Sequence, residues 1–177
     1  MKNKLFLTVL LSAFSLFPLF AQYNNWAIGF QLGEPSGINA RKYFGDNKAF
    51  DVSVGTYGLF YGRDRKYGKG YYQNAGFSLR ANYLWHTALF KKEQVRVYYG
   101  FGGQINSRRY YFESKNAPGQ NESDDKISLG GTGLAGAEYF VDSSPLSLFL
   151  ETGLYVELIS KPFFLHPQVS LGVRFNF

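Results

Sequence analysis

The chain alternates apolar and polar side chains with a period of two in eight separate stretches, and nothing between them carries the 3.6-residue period of an amphipathic helix. In 26–33, Trp26, Ile28, Phe30 and Leu32 oppose Ala27, Gly29, Gln31 and Gly33. Glu34, Pro35, Ser36 and Gly37 then break the run with turn chemistry. In 38–44, Ile38, Ala40 and Phe44 face outward together with Lys42, whose stem can snorkel toward an interface. After the turn residues Gly45, Asp46, Asn47 and Lys48, 49–57 sets Phe50, Val52 and Val54 against Asp51, Ser53 and Gly55. The pattern dissolves in 58–75 and returns in 76–86, with Phe77, Leu79, Ala81, Tyr83 and Trp85 opposite Ser78, Arg80, Asn82 and His86. In 95–106, Val95, Val97, Tyr99, Phe101 and Ile105 oppose Arg96, Tyr98, Gly100, Gln104 and Asn106. A polar stretch, 107–126, precedes the glycine-rich 127–140, which turns Ile127, Leu129, Ala135, Ala137 and Tyr139 outward and Thr132, Gly136 and Glu138 inward. After Asp142, Ser143, Ser144 and Pro145, 146–158 opposes Leu146, Leu148, Leu150, Leu154, Val156 and Leu158 to Ser147, Glu151, Gly153 and Glu157. The last eleven residues, 167–177, set Val169, Leu171, Val173, Phe175 and Phe177 against Gln168, Ser170, Gly172, Arg174 and Asn176.

Eight such strands, an even number and near the length that crosses a bilayer at a tilt, predict an all-β fold: an eight-stranded antiparallel up-and-down transmembrane β-barrel. Short turns then fall at 45–48 and 142–145 on the periplasmic side, and the loops 58–75 and 107–126 fall outside. Two connections depart from that scheme: the first outer loop is very short, and the connector near Lys91 is long for a periplasmic turn. The outward aromatics Trp26, Phe44, Phe50, Tyr83, Trp85, Tyr139, Phe175 and Phe177 all land at periplasmic strand ends, where an interfacial girdle belongs. A soluble lipocalin-like barrel shares the alternation with the opposite polarity; the girdle weighs against it.

The N-terminus adds a destination. Lys2 and Lys4, an apolar stretch from Leu5 to Phe20 interrupted by Ser12, Ser15 and Pro18, and Ala21 ahead of Gln22 predict a signal peptide over 1–21, cleaved to leave a barrel domain over 22–177. Removing it takes away two lysines and leaves a formal charge of +4, too mild for a nucleic-acid binder. The chain of 177 residues has no Cys, so disulfides and cysteine-ligated metals are excluded.

The segments Gly33-Glu34-Pro35-Ser36-Gly37, Gly136-Ala137-Glu138-Tyr139-Phe140 and Phe149-Leu150-Glu151, with the closing Gly172-Val173-Arg174-Phe175-Asn176-Phe177, resemble the small outer-membrane β-barrel proteins common in Bacteroidota, across essentially the whole mature chain. That resemblance implies residence in the outer membrane of a Gram-negative cell. It also implies contact with outer-membrane lipid and lipopolysaccharide, and assembly by the barrel machinery, which reads a terminal aromatic. It is nearly silent on activity.

The inward face collects Arg41, Arg80, Arg96 and Arg174 with Asp51, Glu138, Glu151 and Glu157, four charges of each sign. In a bore only wide enough for side chains to fill, balanced charge predicts an interlocked, closed core, the alternative being a narrow porin-like channel for small solutes. A third reading, a lipid A-modifying hydrolase, needs a nucleophile beside a base. His166, near Ser160 and Ser170, is the one serious candidate, since His86 reads as interfacial. The outer-membrane lipid A deacylases, however, carry a His-x-Ser-Asn pattern, and Pro167, Gln168 and Val169 follow His166 instead. No metal-ligand spacing and no cofactor motif appear. Arg63, Arg65, Lys66, Lys69, Tyr71 and Tyr72 in the outer 58–75 loop form a possible surface site for phosphates or acidic glycans. The expected role is non-enzymatic and monomeric: envelope structure, or surface contact through the outer loops.

If the apolar face meets lipid, the mature chain folded in detergent gives a β-type far-UV circular dichroism spectrum and a compact gel band that shifts on boiling. A β fold independent of detergent places the apolar face inside and refutes the membrane barrel.

Overall fold

The computed structural model describes residues 25–45, 47–58, 66–67, 70–72, 76–89, 92–112 and 123–177, with the backbone alone at 66–67, 70–72, 92–93, 108–112 and 123–125. The 1–21 segment, Arg63, Arg65 and Lys69 lie outside the described residues, and Lys66, Tyr71 and Tyr72 are described in backbone only. The described residues form ten strands: β1 Trp26–Gly33, β2 Ser36–Phe44, β3 Lys48–Tyr57, β4 Lys66–Tyr67, β5 Gly70–Tyr72, β6 Gly76–Leu89, β7 Lys92–Phe112, β8 Ser123–Phe140, β9 Leu146–Ile159 and β10 Phe164–Asn176.

Eight of them close a barrel. Each of β1, β2, β3, β6, β7, β8, β9 and β10 pairs antiparallel with its neighbour in that order, and β1 pairs with β10 to complete the ring. Closure leaves the barrel strands no free edge, as strands surrounded by lipid require. The alternation is turned inside out relative to a soluble protein. Ile28, Phe30, Leu32, Phe101, Leu150 and Leu171 stand exposed on the outer wall, whereas Gln31, Asn39, Asp51, Asn82, Gln104, Glu138 and Arg174 are buried in the bore.

Three connections differ from the sequence-based expectation. The connector near Lys91 is short: β6 runs on to Leu89, β7 starts at Lys92, and a bulge at Ala88 and Leu89 absorbs the irregular pattern there. The stretch 107–126 is not simply a polar loop, because β7 continues to Phe112 and β8 begins at Ser123, with Ser107 to Tyr111 in register with Ser123 to Ile127. The dissolved pattern of 58–75 hides a small hairpin, β4 and β5, whose second strand adds to β7 at 110–112. Pairing between backbones, which needs no side-chain alternation, decides these three segments.

At the opposite end the β2–β3 turn is tight, with Gly45 in the left-handed region (φ 61°). Inside the barrel, glycines make room for rings. A Cβ on Gly136 would lie 2.6 Å from Tyr98 Cζ, and one on Gly172 would lie 2.5 Å from Phe149 Cζ and 2.3 Å from the Phe30 carbonyl oxygen. Tyr98 and Phe149 are the direct cross-strand partners of these two glycines. Gly133, on the outer wall, has open space where its Cβ would be. Gly172→Ala is therefore expected to destabilise the folded barrel by about 1–3 kcal/mol, seen as a lower urea midpoint in detergent, while Gly133→Ala stays within about 0.5 kcal/mol of the parent.

Candidate functional site: a charge network across the bore

Among the described residues three arginines are fully buried, on β2, β6 and β10, and the three carboxylates that meet them come from β3, β8 and β9. Period-two alternation brings them to one place, because Arg41, Asp51, Arg80, Glu138, Glu151 and Arg174 all sit on the inward parity of their strands. Arg41 donates through Nε to Asp51 Oδ2 at 2.8 Å and through Nη1 to Glu138 Oε2 at 3.0 Å, and its Nη2 is 3.6 Å from Glu151. Arg174 donates to Glu138 Oε1 at 3.0 Å and Glu151 Oε2 at 3.2 Å, lies 3.6 Å from Asp51, and hydrogen-bonds Asn39 through Nε. Arg80 donates to Glu151 Oε1 at 3.1 Å. Formal charge in the cluster therefore balances at zero.

The contacts cross the bore. Strands β2 and β8 stand opposite each other in the ring of eight, so the Arg41–Glu138 pair is a diametrical strut. Neutral groups take up remaining hydrogen-bonding capacity: Asn39 donates to Asp51 at 2.8 Å, and Tyr43 and Ser147 donate to Glu138 at 3.0 and 2.7 Å. The guanidinium planes rest on rings, Arg41 4.3 Å from the Tyr98 centroid and Arg174 3.4 Å from that of Phe149. Buried charge is tolerated on these terms, with each ion both countered and hydrogen-bonded.

Two residues expected on the inner face stand apart from the cluster. Arg96 is half-buried at the rim with its guanidinium 5.3 Å from the Phe140 ring, although its backbone is in register with Glu138. Glu157 is buried elsewhere in the bore and accepts the Lys161 backbone N–H at 3.0 Å. Away from the cluster a set of neutral side chains also lines the bore: Gln104 donates to Ser78, Asn106 is reached by Gln104, and Gln168 donates to Gln104 at 2.8 Å.

His86 is not an interfacial residue. It is buried within the bore, 3.4 Å from Arg41 Nη1 and packed between the rings of Tyr43 and Tyr98, because inward parity on β6 continues through it. His166 is fully buried, its ring 4.6 Å from that of Tyr57. Ser160 points to the exterior and donates to the Ile127 carbonyl at 2.8 Å, and Ser170 is buried without a hydrogen bond. Neither serine is hydrogen-bonded to His166, so these residues do not assemble a nucleophile and base. Among the described residues no group of three His, Asp or Glu is placed to hold a metal ion.

The eight girdle aromatics lie at the end of the barrel that carries both the start of β1 and the end of β10. Phe44 meets Tyr83 at 5.5 Å, Tyr83 meets Trp85 at 4.8 Å, and Phe175 meets Phe177 at 6.3 Å between centroids. Tyr99 and Phe101, which the strand pattern alone did not assign to the girdle, extend it by packing on Trp85. The sequence reading also missed an apolar layer inside the bore, where Ala49, Leu84, Tyr98 and Leu134 cluster with Tyr43 against them. Its signal was the inward glycine beside each large member: Gly100 pairs with both Leu84 and Leu134, and Gly136 with Tyr98.

The geometry defines a closed eight-stranded antiparallel barrel with a polar, ion-paired interior and an apolar exterior. Among solved structures, the chain is similar to the N-terminal β-barrel domain of OprF from Pseudomonas aeruginosa, with a TM-score of 0.61 and 14% identity over 88% of this chain and 100% of that one. It is also similar to Neisserial surface protein A (NspA), with a TM-score of 0.49 and 18% identity over 86% of this chain and 93% of that one. No family model matches the sequence, and no curated protein does. The similarity to the OprF domain is one of fold.

Because each carboxylate of the network serves at least two arginines, removing one ion strands the others. Arg174→Met is expected to cost about 3–5 kcal/mol in urea unfolding from detergent. Adding Glu138→Gln, which restores charge balance, should cost less than the sum of the two single changes. Strict additivity would refute the network.

Proposed function

We propose that the chain is a non-enzymatic integral outer-membrane barrel, exported by a signal peptide over 1–21 that is cleaved to leave the domain 22–177. It acts in envelope structure or in surface contact through its outer loops. The observation that carries this reading is the neutral, mutually hydrogen-bonded set of six ions crossing the bore, which fills the space a solute would need. The apolar outer wall and the aromatic girdle at one end support placement in a bilayer. The resemblance of the Gly33–Gly37 and C-terminal segments to small Bacteroidota barrels supports a Gram-negative outer membrane of that group, with lipid, lipopolysaccharide and the assembly machinery as the contacts of a monomer.

The outer end supports surface contact. β7 has 21 residues and β8 has 18, against 8 to 14 in the other barrel strands, so this hairpin runs on after its neighbours have ended, with β4 and β5 added at its side. About 9–11 residues suffice to cross the hydrocarbon. The basic and aromatic residues Arg63, Arg65, Lys66, Lys69, Tyr71 and Tyr72 belong to the same outer segment and are the proposed ligand-contacting set.

Planar-bilayer recording of the reconstituted barrel tests the closed bore. The expected outcome is no unitary conductance above the bilayer background. Stable channel steps would instead identify a narrow conduit for small solutes.

A further inference from the structure

The outer wall is almost devoid of charge. On β1, β2, β3, β6, β9 and β10 the outward positions hold only two charged side chains, Lys42 and Lys48. They occupy neighbouring strands at the girdle end of the barrel. Lys42 lies directly across from Trp26 on β1 and Phe50 on β3, and Lys48 lies across from Phe44 on β2 and Trp85 on β6. The two lysines are diagonal neighbours in the β2–β3 pair, roughly 7–8 Å apart at the backbone. Lys42 Nζ sits 5.0 Å from the centroid of the Trp26 ring. Among the described residues neither lysine forms an ion pair.

An ammonium on a lipid-facing wall has no counter-ion in hydrocarbon, so its stem carries it to the depth of the aromatic belt, where lipid phosphates lie. Beside the patch, toward the middle of the strands, the wall recedes. Ala40, Val52 and Ala81 form one cross-strand row of small side chains, paired in register, between Ile28 and Gly103. A charged pair flanked by rings, next to a shallow trough in the apolar wall, matches a molecule with an anionic head and a hydrocarbon tail.

We propose that Lys42 and Lys48, framed by Trp26, Phe44, Phe50 and Trp85, bind the phosphate headgroup of an anionic phospholipid whose acyl chain lies along the Ala40–Val52–Ala81 trough. The site rests on the membrane-spanning reading above. Attraction of about fivefold per ammonium follows from the usual strength of lysine at an anionic membrane surface. The binding group is charge-assisted and therefore sensitive to salt.

The only two tryptophans of the chain, Trp26 and Trp85, both lie in the site, so intrinsic fluorescence reports on it directly. The mature protein is folded into phosphatidylcholine vesicles that contain an equal fraction of either brominated phosphatidylglycerol or brominated phosphatidylcholine. Brominated phosphatidylglycerol is expected to quench at least twofold more strongly, and about 1 M salt to bring the two lipids level. In the K42Q/K48Q variant, checked for folding by its heat-shifted gel band, the preference for phosphatidylglycerol disappears while quenching by phosphatidylcholine is unchanged. Equal quenching by the two lipids in the parent, or a preference that survives in the variant, overturns the site. If neither lipid quenches, the membrane placement fails, and the site with it.

Discussion

The interior ion network is the constraint on which the barrel depends. Six ionised side chains in a bore narrow enough for side chains to fill can persist only if every charge is countered and nearly every polar atom is engaged. Arg41 and Arg174 meet that condition by sharing Glu138 and Glu151 between them and adding Asp51, so each arginine touches three carboxylates. The Arg41–Glu138 pair joins strands on opposite sides of the ring, and the Arg80–Glu151 and Arg174–Glu138 pairs join strands that are not neighbours in it. They hold the cross-section as the backbone ladders hold the circumference. Reading the interior as a closed core rather than a channel rests on this interlocking.

Other features accommodate that centre. Filling the bore with guanidinium groups and rings requires gaps in the facing wall, and inward glycines provide them: Gly136 under Tyr98, Gly172 under Phe149, and Gly29 beside the Arg174 stem. The apolar cluster of Ala49, Leu84, Tyr98 and Leu134 excludes water next to the ions, which strengthens their attraction to one another. His86 belongs to this packing and not to the membrane interface, since it lies between Arg41 and two tyrosine rings.

The two ends of the barrel are built for different surroundings. At the girdle end, tight turns, aromatic rings and two outward lysines match a boundary between hydrocarbon and charged headgroups. At the other end the β7–β8 hairpin and the β4–β5 addition carry the sheet beyond the ring, where the sequence concentrates charge and tyrosine.

Much of this was decided by local chemistry. A period of two fixes which side chains share a face, so the eight barrel strands, the inward placement of Arg41, Asp51, Glu138, Glu151 and Arg174, and the outward placement of Trp26, Phe50 and Phe175 followed from the sequence alone. The terminal aromatic and the short turn at Gly45 did too. Parity cannot say which inward residues meet, because contact across a bore depends on register summed around the closed ring. That is why Arg96, on the same face as Arg174, ended at the rim over Phe140, and why Glu157 fell outside the cluster. Parity also ranks Leu84, Leu134 and Phe149 as exceptions to a polar face, and only the facing glycines explain them. The extensions of β7 and β8 and the β4–β5 hairpin are held by backbone hydrogen bonds, which leave no alternation to read, so tertiary structure alone determined them.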